Sequence, residues 1–191
     1  MPTLHTARLT IRAFTTDDLD AVHTVLNSAF GPIPLARRRE WLHWTIHALA
    51  LHARLGQPPY GERAIVLGGT IIGAVGIVPS YGPFERLPAW QGRLAGPSAA
   101  GSTAEVGLFW ALDAAHRGQG YATEAARAVI DYLFTAWDLK RVVATTAYDN
   151  SASIAVMERL GMSVAHNPDL TPEWFQVIGL LERSTHGHQI T

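Results

Sequence analysis

The residues best placed to do chemistry lie in one stretch, Glu105 to Trp137, EVGLFWALDAAHRGQGYATEAARAVIDYLFTAW. An apolar run, Val106 to Leu112, is short enough for a strand. A basic, glycine-containing turn follows, His116-Arg117-Gly118-Gln119-Gly120. A helix comes next, with Ala122, Ala125, Ala126, Val129, Ile130, Leu133, Phe134 and Trp137 on one stripe. Strand, glycine turn and helix N-terminus together suit a phosphate group. Glycines reach positive φ and let the backbone approach a ligand. The first helical amides have no internal partners, and the macrodipole adds roughly half a positive charge there. A Walker loop needs Gly-Lys-Ser/Thr, and Tyr121 after Gly120 breaks that pattern. A dinucleotide fingerprint, G-x-G-x-x-G with an acidic residue about twenty positions on, is met by Gly118 and Gly120 alone. Thr123 replaces its third glycine, and Asp138 follows the helix instead of ending a second strand. The bland alternative is a turn that merely caps its helix.

The flanking elements must hold this stretch in place. Leu9-Thr10-Ile11-Arg12-Ala13-Phe14 alternates as a half-buried strand does. Thr15-x-x-Asp18 is a capping-box pattern before a helix carrying Leu19, Val22, Val25 and Leu26; Gly31-Pro32 and Pro34 end it. A second helix is expected from about Ala36 to Leu55. It has two apolar stripes, one of Leu42, Ile46, Leu49 and Ala53, the other of Trp41, Trp44, Ala48, Leu51 and Leu55. A substrate groove or a homodimer contact could cover the second. Arg63 to Leu67 and Thr70 to Val78 are β-rich runs joined by Gly68-Gly69, a hairpin signal. Residues 79–103, with Pro79, Pro83, Pro88, Pro97, Tyr81, Phe84 and Trp90, form a long loop. It is either a lid over an acceptor site or a passive insertion. Arg141 to Thr146 is a further strand, Ser151 to Leu160 a short helix with Gly161 as its left-handed cap, and Met162 to Ala165 and Trp174 to Leu181 the last strands. One domain over residues 1–183 is expected, with 184–191 a disordered tail.

Composition removes several function classes. The 191 residues carry 15 Lys and Arg against 16 Asp and Glu, a net charge of −1, which leaves no electrostatic footprint for nucleic acid. Arg37-Arg38-Arg39 is the one basic run; a solvated helix start explains it, and contact with an anionic ligand is the alternative. The absence of cysteine excludes disulfides, thiolate metal sites and a cysteine nucleophile. His43 and His47 sit at i, i+4, but zinc needs a third ligand, so no metal is expected. His186-Gly187-His188 falls in the frayed tail. The uncharged span 64–84 is interrupted by Gly68-Gly69 and Pro79, and no secretory pattern opens the chain. A cytoplasmic protein without membrane contact is expected.

Arg117, Gly120 and Ala122 fill the pattern Arg/Gln-x-x-Gly-x-Gly/Ala, set after Glu-Val-Gly-Leu-Phe-Trp and before Thr123-Glu124-Ala125. Here the chain resembles the GNAT acyltransferase superfamily, whose pyrophosphate loop has this form. The resemblance extends from Thr6-Ala7-Arg8-Leu9 to the last strand. It is closest to the branch with the ribosomal-protein N-terminal (alanine/serine) acetyltransferases. Thr6 to Arg12 matches that branch's T-x-R-L-x-L-R opening, Glu105-Val106-Gly107 its Glu-x-Gly phrase, and Asn150, Ser153 and Leu160-Gly161-Met162 its Asn-x-x-Ser and Leu-Gly-Met phrases. The resemblance implies an α/β (α+β) fold: a mixed seven-stranded sheet, split between its fourth and fifth strands and flanked by about four helices. It also implies acetyl-CoA as co-substrate. Arg117, Gly118, Gln119, Gly120, Tyr121 and Ala122 would hold the pyrophosphate. The edge at Phe109, Trp110, Ala111 and Leu112 would pair with pantetheine amides as an added strand. Asn150 and Ser153 would meet the pantetheine arm. Residues 163–173 depart from the branch, which has a longer Glu- and Gly-containing segment there.

The resemblance implies direct attack of a primary amine on the thioester, with a protein N-terminal α-amine or a small-molecule amine as acceptor. Ser153 is the candidate donor to the leaving thiolate, with a helix-capping hydroxyl as its competing role. Tyr148 is the second candidate; a phenol near pKa 10 suits the task. Glu105 is the candidate base, with a structural salt bridge as its competing role. The rival of another class is a catalytically silent acyl-CoA-binding module.

Overall fold

We describe residues 1–84, 87, 102–169 and 172–183 of a computed structural model of the chain. The elements run β1 (Leu4–His5), β2 (Leu9–Arg12), α1 (Leu19–Phe30), α2 (Leu35–Arg54), β3 (Gly61–Leu67), β4 (Thr70–Gly82), β5 (Thr103–Leu112), α3 (Tyr121–Ala136), β6 (Arg141–Thr146), α4 (Ser151–Leu160), β7 (Ser163–His166) and β8 (Val177–Glu182). The sheet order is β1-β2-β3-β4-β5-β6-β8-β7, antiparallel except between β5 and β6. There are eight strands, one more than expected, because Leu4 and His5 pair with Ile11 and Thr10 and extend the edge.

The expected split lies between β5 and β6. β5 pairs with β4 along its whole length, from Gly73↔Leu112 to Gly82↔Thr103. Its parallel register with β6 has one pair, Gly107↔Val143. Beyond Gly107 the two strands diverge, leaving residues 108–112 of β5 with an open edge among the described residues. Gly179 in β8 continues the sheet on the far side, in register with Ala144.

Strand parity sorts the core into two layers. Ile65, Val75, Leu108 and Leu112 pack under α3 and α4 with Ala125, Ala126, Val129, Ile130, Met157 and Leu160. The three buried alanines of α3, Ala122, Ala125 and Ala126, let that helix lie close to the sheet. On the opposite face Ala64, Ala74 and Ala111 pack with Phe14, Val22, Val25, Leu26 and Leu42 of the α1–α2 layer. The capping box is present: the Thr15 amide donates to Asp18 at 2.7 Å, and Arg12 binds the same carboxylate at 2.7 and 2.9 Å. On α2, Leu42 is buried, while Trp44, Leu51 and Leu55 of the second stripe stay exposed. No helix among the described residues is long and apolar enough to cross a membrane.

Several boundaries differ from expectation. β4 continues through Pro79 to Gly82, and β5 starts at Thr103, so both ends of the expected loop are strand. β3 stops pairing at Ile77, leaving β4 with one neighbour beyond it. Pro79 therefore sits where no donor is needed on the outer side. Residues 85, 86 and 88–101, including Trp90, lie outside the described residues, as do 170, 171 and the 184–191 tail. The expected strand from Trp174 begins instead at Val177. Pro172 opens a helical turn at Glu173–Phe175, closed by the Gln176 amide on the Glu173 carbonyl at 3.3 Å. β2 ends at Arg12, two residues earlier than its alternation suggested.

Candidate functional site

The glycine turn has the geometry its residues permit. Gly118 has φ 73° and Gly120 has φ 82°, conformations costly for any residue with a Cβ. A Cβ on Gly118 would project into open space. Gly120 is the residue before α3, and no side chain caps that helix. Its first amides therefore remain available to a ligand. The Thr123 hydroxyl beside them is buried without a partner.

Two arginines fix the turn. Arg117 folds back, donating from Nε to the Leu112 carbonyl at 3.2 Å and from the guanidinium to the Ser28 carbonyl at 3.3 Å. That staples the turn to β5 and α1. Arg8, from the β1–β2 connection, pairs with Glu124 at 2.6 Å, donates to the Gln119 carbonyl at 3.1 Å and lies 4.4 Å from the Tyr121 ring centroid. Burial pushes the Glu124 carboxyl up, but hydrogen bonds from Thr6 and Arg8 outweigh it and hold the carboxyl below its ordinary value.

The turn closes one end of a cleft of about 400 Å³. Nine of the expected residues line it: Trp110, Ala111 and Leu112 from β5, Arg117, Gly118, Gly120 and Ala122 from the turn and α3, and Asn150 and Ser153 from α4. Phe30 and Thr123, which the sequence reading passed over, line it too. Three of the residues expected to hold the co-substrate stand outside the lining, as do the catalytic candidates Glu105 and Tyr148. Phe109 alternates to the α1–α2 face and stacks on Phe30 with centroids 5.9 Å apart. Gln119 donates its side chain to the Ala115 carbonyl. Tyr121 is buried in the core beneath Arg8.

The polar groups of α4 divide their tasks. Asn150 is the helix cap: its Oδ1 accepts from the Ser153 amide at 3.1 Å, and its Nδ2 donates to Thr146 at 2.9 Å. The Ser153 hydroxyl is thus no cap; it accepts from Trp110 Nε1 at 3.3 Å, across the cleft. Tyr148 faces elsewhere, donating its hydroxyl to the Asn167 carbonyl while its ring stacks on His166. Glu105 is buried, and Arg141 holds its two oxygens, each at 2.8 Å. The Thr103 hydroxyl also donates to it at 3.2 Å. Such a carboxylate has few lone pairs left for an acceptor proton.

Taken together, a glycine turn with an uncapped helix start, an open strand edge and a hydroxyl share one cleft. An extended ligand with a phosphorylated end and amides along its length fits that arrangement.

Comparison with known proteins points the same way. The family model described as "Acetyltransferase (GNAT) domain" matches residues 8–163. The uncharacterized protein YkkB of Bacillus subtilis (strain 168) is 28% identical over 152 residues, 78% of this chain and 72% of that protein. An acetyltransferase crystal structure from Agrobacterium tumefaciens str. C58 superposes with a TM-score of 0.64 at 28% identity, covering 96% of this chain and 95% of the other. RimL, a ribosomal L7/L12 alpha-N-protein acetyltransferase solved in complex with coenzyme A, has a TM-score of 0.62 at 16% identity over 93% of this chain and 94% of its own. At that identity the RimL match speaks for the fold alone.

Proposed function

Because this chain belongs to the GNAT acetyltransferase domain family, we propose that it is an acetyl-CoA-dependent N-acetyltransferase acting by direct transfer to a primary amine. The observation that carries this reading is the cleft itself, where positive-φ glycines, an uncapped helix start and the open edge of β5 converge. The amides from Arg117 to Ala122 would take the pyrophosphate, and the backbone of 108–112 would pair with the pantetheine arm by strand addition. Ser153, aimed across the cleft from Trp110, would donate to the departing thiolate. Backbone amides of β5 would polarise the thioester carbonyl as charge develops on its oxygen.

We assign Glu105 the structural role its contacts favour, tying β5 to β6 through Arg141. A protein N-terminal α-amine is the acceptor class we favour. Deprotonating an α-amine of pKa near 8 at pH 7 costs about 1.4 kcal/mol, against about 4.6 kcal/mol for a lysine near 10.4. The test is calorimetric titration with acetyl-CoA, paired with a free-thiol assay over α-amine peptides, lysine peptides and small amines. Acetyl-CoA binding with amine-stimulated thiol release is expected. Binding without thiol release would leave a silent acyl-CoA-binding module; absence of binding would end both readings.

A further inference from the structure

With Glu105 committed to Arg141, a second carboxylate stands out on the same face of the sheet. Glu62 of β3 is in register with Gly76 of β4, which is in register with Phe109 of β5. Residues opposite one another on neighbouring strands share a face. Two positions further along these strands lie Ala64, Ala74 and Ala111, which pack with α1 and α2. Glu62 therefore lies on the α1–α2 face, level with the part of β5 where β6 has just diverged. Two strand spacings, about 10 Å, separate its backbone from Phe109 in an ideal sheet. A Cβ on Gly76 would meet the Gly61 carbonyl oxygen at 2.2 Å and the Glu62 Cα at 2.8 Å, so the glycine lets β3 lean over β4.

Few groups compensate the carboxylate's charge. Its own backbone amide and the charge of Arg63 act on it, and no ion pair within 4 Å is found for it among the described residues. The nearby basic groups are otherwise engaged. Arg12, in register with Ala64, binds Asp18. Arg63 alternates to the opposite face and donates to the carbonyls of Pro59 and Gly61. His52 of α2 contacts the Tyr60 carbonyl. Burial pushes the Glu62 carboxyl above its ordinary value, outweighing its own amide and the charge of Arg63. A carboxylate raised in this way is a better proton acceptor near neutral pH.

We propose that Glu62 is the acceptor-side carboxylate, drawing a cationic primary amine onto the α1–α2 face and taking its proton for attack on the thioester. The inference rests on the transferase reading above. The ammonium gives one proton to the Glu62 carboxylate. Its nitrogen lone pair then forms the bond to the acetyl carbon. The carbon–sulfur bond breaks with its electron pair on sulfur. The second nitrogen proton passes to that thiolate, and Glu62 returns its own to solvent. Acetylated amine, free thiol and one proton result.

The test measures thiol release by the full chain, Glu62→Gln and Glu62→Asp across pH, using α-amine peptides, polyamines and amino sugars. Calorimetry with acetyl-CoA and thermal melting serve as controls. Glu62→Gln is expected to lose about a hundredfold in kcat/KM at neutral pH, with acetyl-CoA affinity unchanged, the acidic limb of the pH profile moved up to the amine's own pKa and the loss shrinking at high pH. Glu62→Asp should keep the limb and part of the rate. A Glu62→Gln variant with the wild-type rate and profile overturns the assignment while leaving the transferase reading intact. A wild-type chain that binds acetyl-CoA but releases thiol with none of these amines overturns the transferase reading and this one with it.

Discussion

At the Gly118–Gly120 turn, the groups suited to phosphate come from one contiguous segment running from the end of β5 into α3. The α1–α2 face of the sheet is assembled differently. Phe30 comes from α1, Glu62 from β3, Gly76 from β4 and Phe109 from β5. The first region needs local geometry and outside braces from Arg8 and from Ser28 of α1. The second exists only once three strands are in register. Where chemistry depends on backbone amides and a helix end, a short segment suffices; where it depends on a lone carboxylate, neighbouring cations must be placed elsewhere.

The sharpest way to break that contrast is to ask whether Glu105 belongs to the acceptor side after all. Glu105→Ala deprives half-buried Arg141 of this carboxylate and should cost about 2 to 4 kcal/mol of stability, read by thermal or denaturant unfolding. The shape of its pH–rate profile should stay wild-type. An upward shift of the acidic limb in this variant would return the proton to Glu105.

Gly120→Glu tests the contiguous region. It puts a carboxylate at the phosphate position and a side chain at φ 82°. Acetyl-CoA affinity should fall at least about tenfold, or 1.4 kcal/mol. An unchanged affinity in a folded variant would move the co-substrate to another site.

A smaller effect is expected of Ser153→Ala, which should lower kcat about fivefold, near 1 kcal/mol. Stability should hold, since Asn150 and not Ser153 caps α4. A fall in melting temperature with normal kcat would make the hydroxyl structural.

The smallest effect concerns the brace. Arg8 is partly exposed, so Arg8→Ala should cost about 0.5 kcal/mol, and less at high salt. Its pH dependence has a defined sign. Glu124 has a lower pKa folded than unfolded, so the unfolded chain binds more protons on acidification. The contribution is full above the ordinary glutamate value of about 4.3 and disappears as pH falls through the lower folded value. Acid titrations of wild type and Arg8→Ala should converge there; parallel curves would dissociate the brace from Glu124.

Much of the architecture was legible from residue order. The 3.6-residue stripe from Ala122 to Trp137, the hairpin signal at Gly68-Gly69 and Asn-x-x-Ser ahead of Leu160-Gly161 each depend on neighbours a few positions away, and each formed as expected. So did the glycine turn, because positive φ at Gly118 and Gly120 and an uncapped helix start are local properties of the backbone. Tertiary structure decided what each side chain is free to do. Pairing with Arg141 occupied Glu105, stacking on His166 and a bond to Asn167 turned Tyr148 aside, and alternation sent Phe109 to the face opposite Trp110's cleft. Glu62 drew no notice because it stands just before the β-rich run read from Arg63 to Leu67, and the strand in fact starts at Gly61. Its character comes from the residues that surround it after folding and from the arginines bound elsewhere. The reason is physical: backbone conformation follows from short-range sterics and periodicity, whereas the basicity and reach of a side chain depend on desolvation and charge partners that long-range strand register brings together.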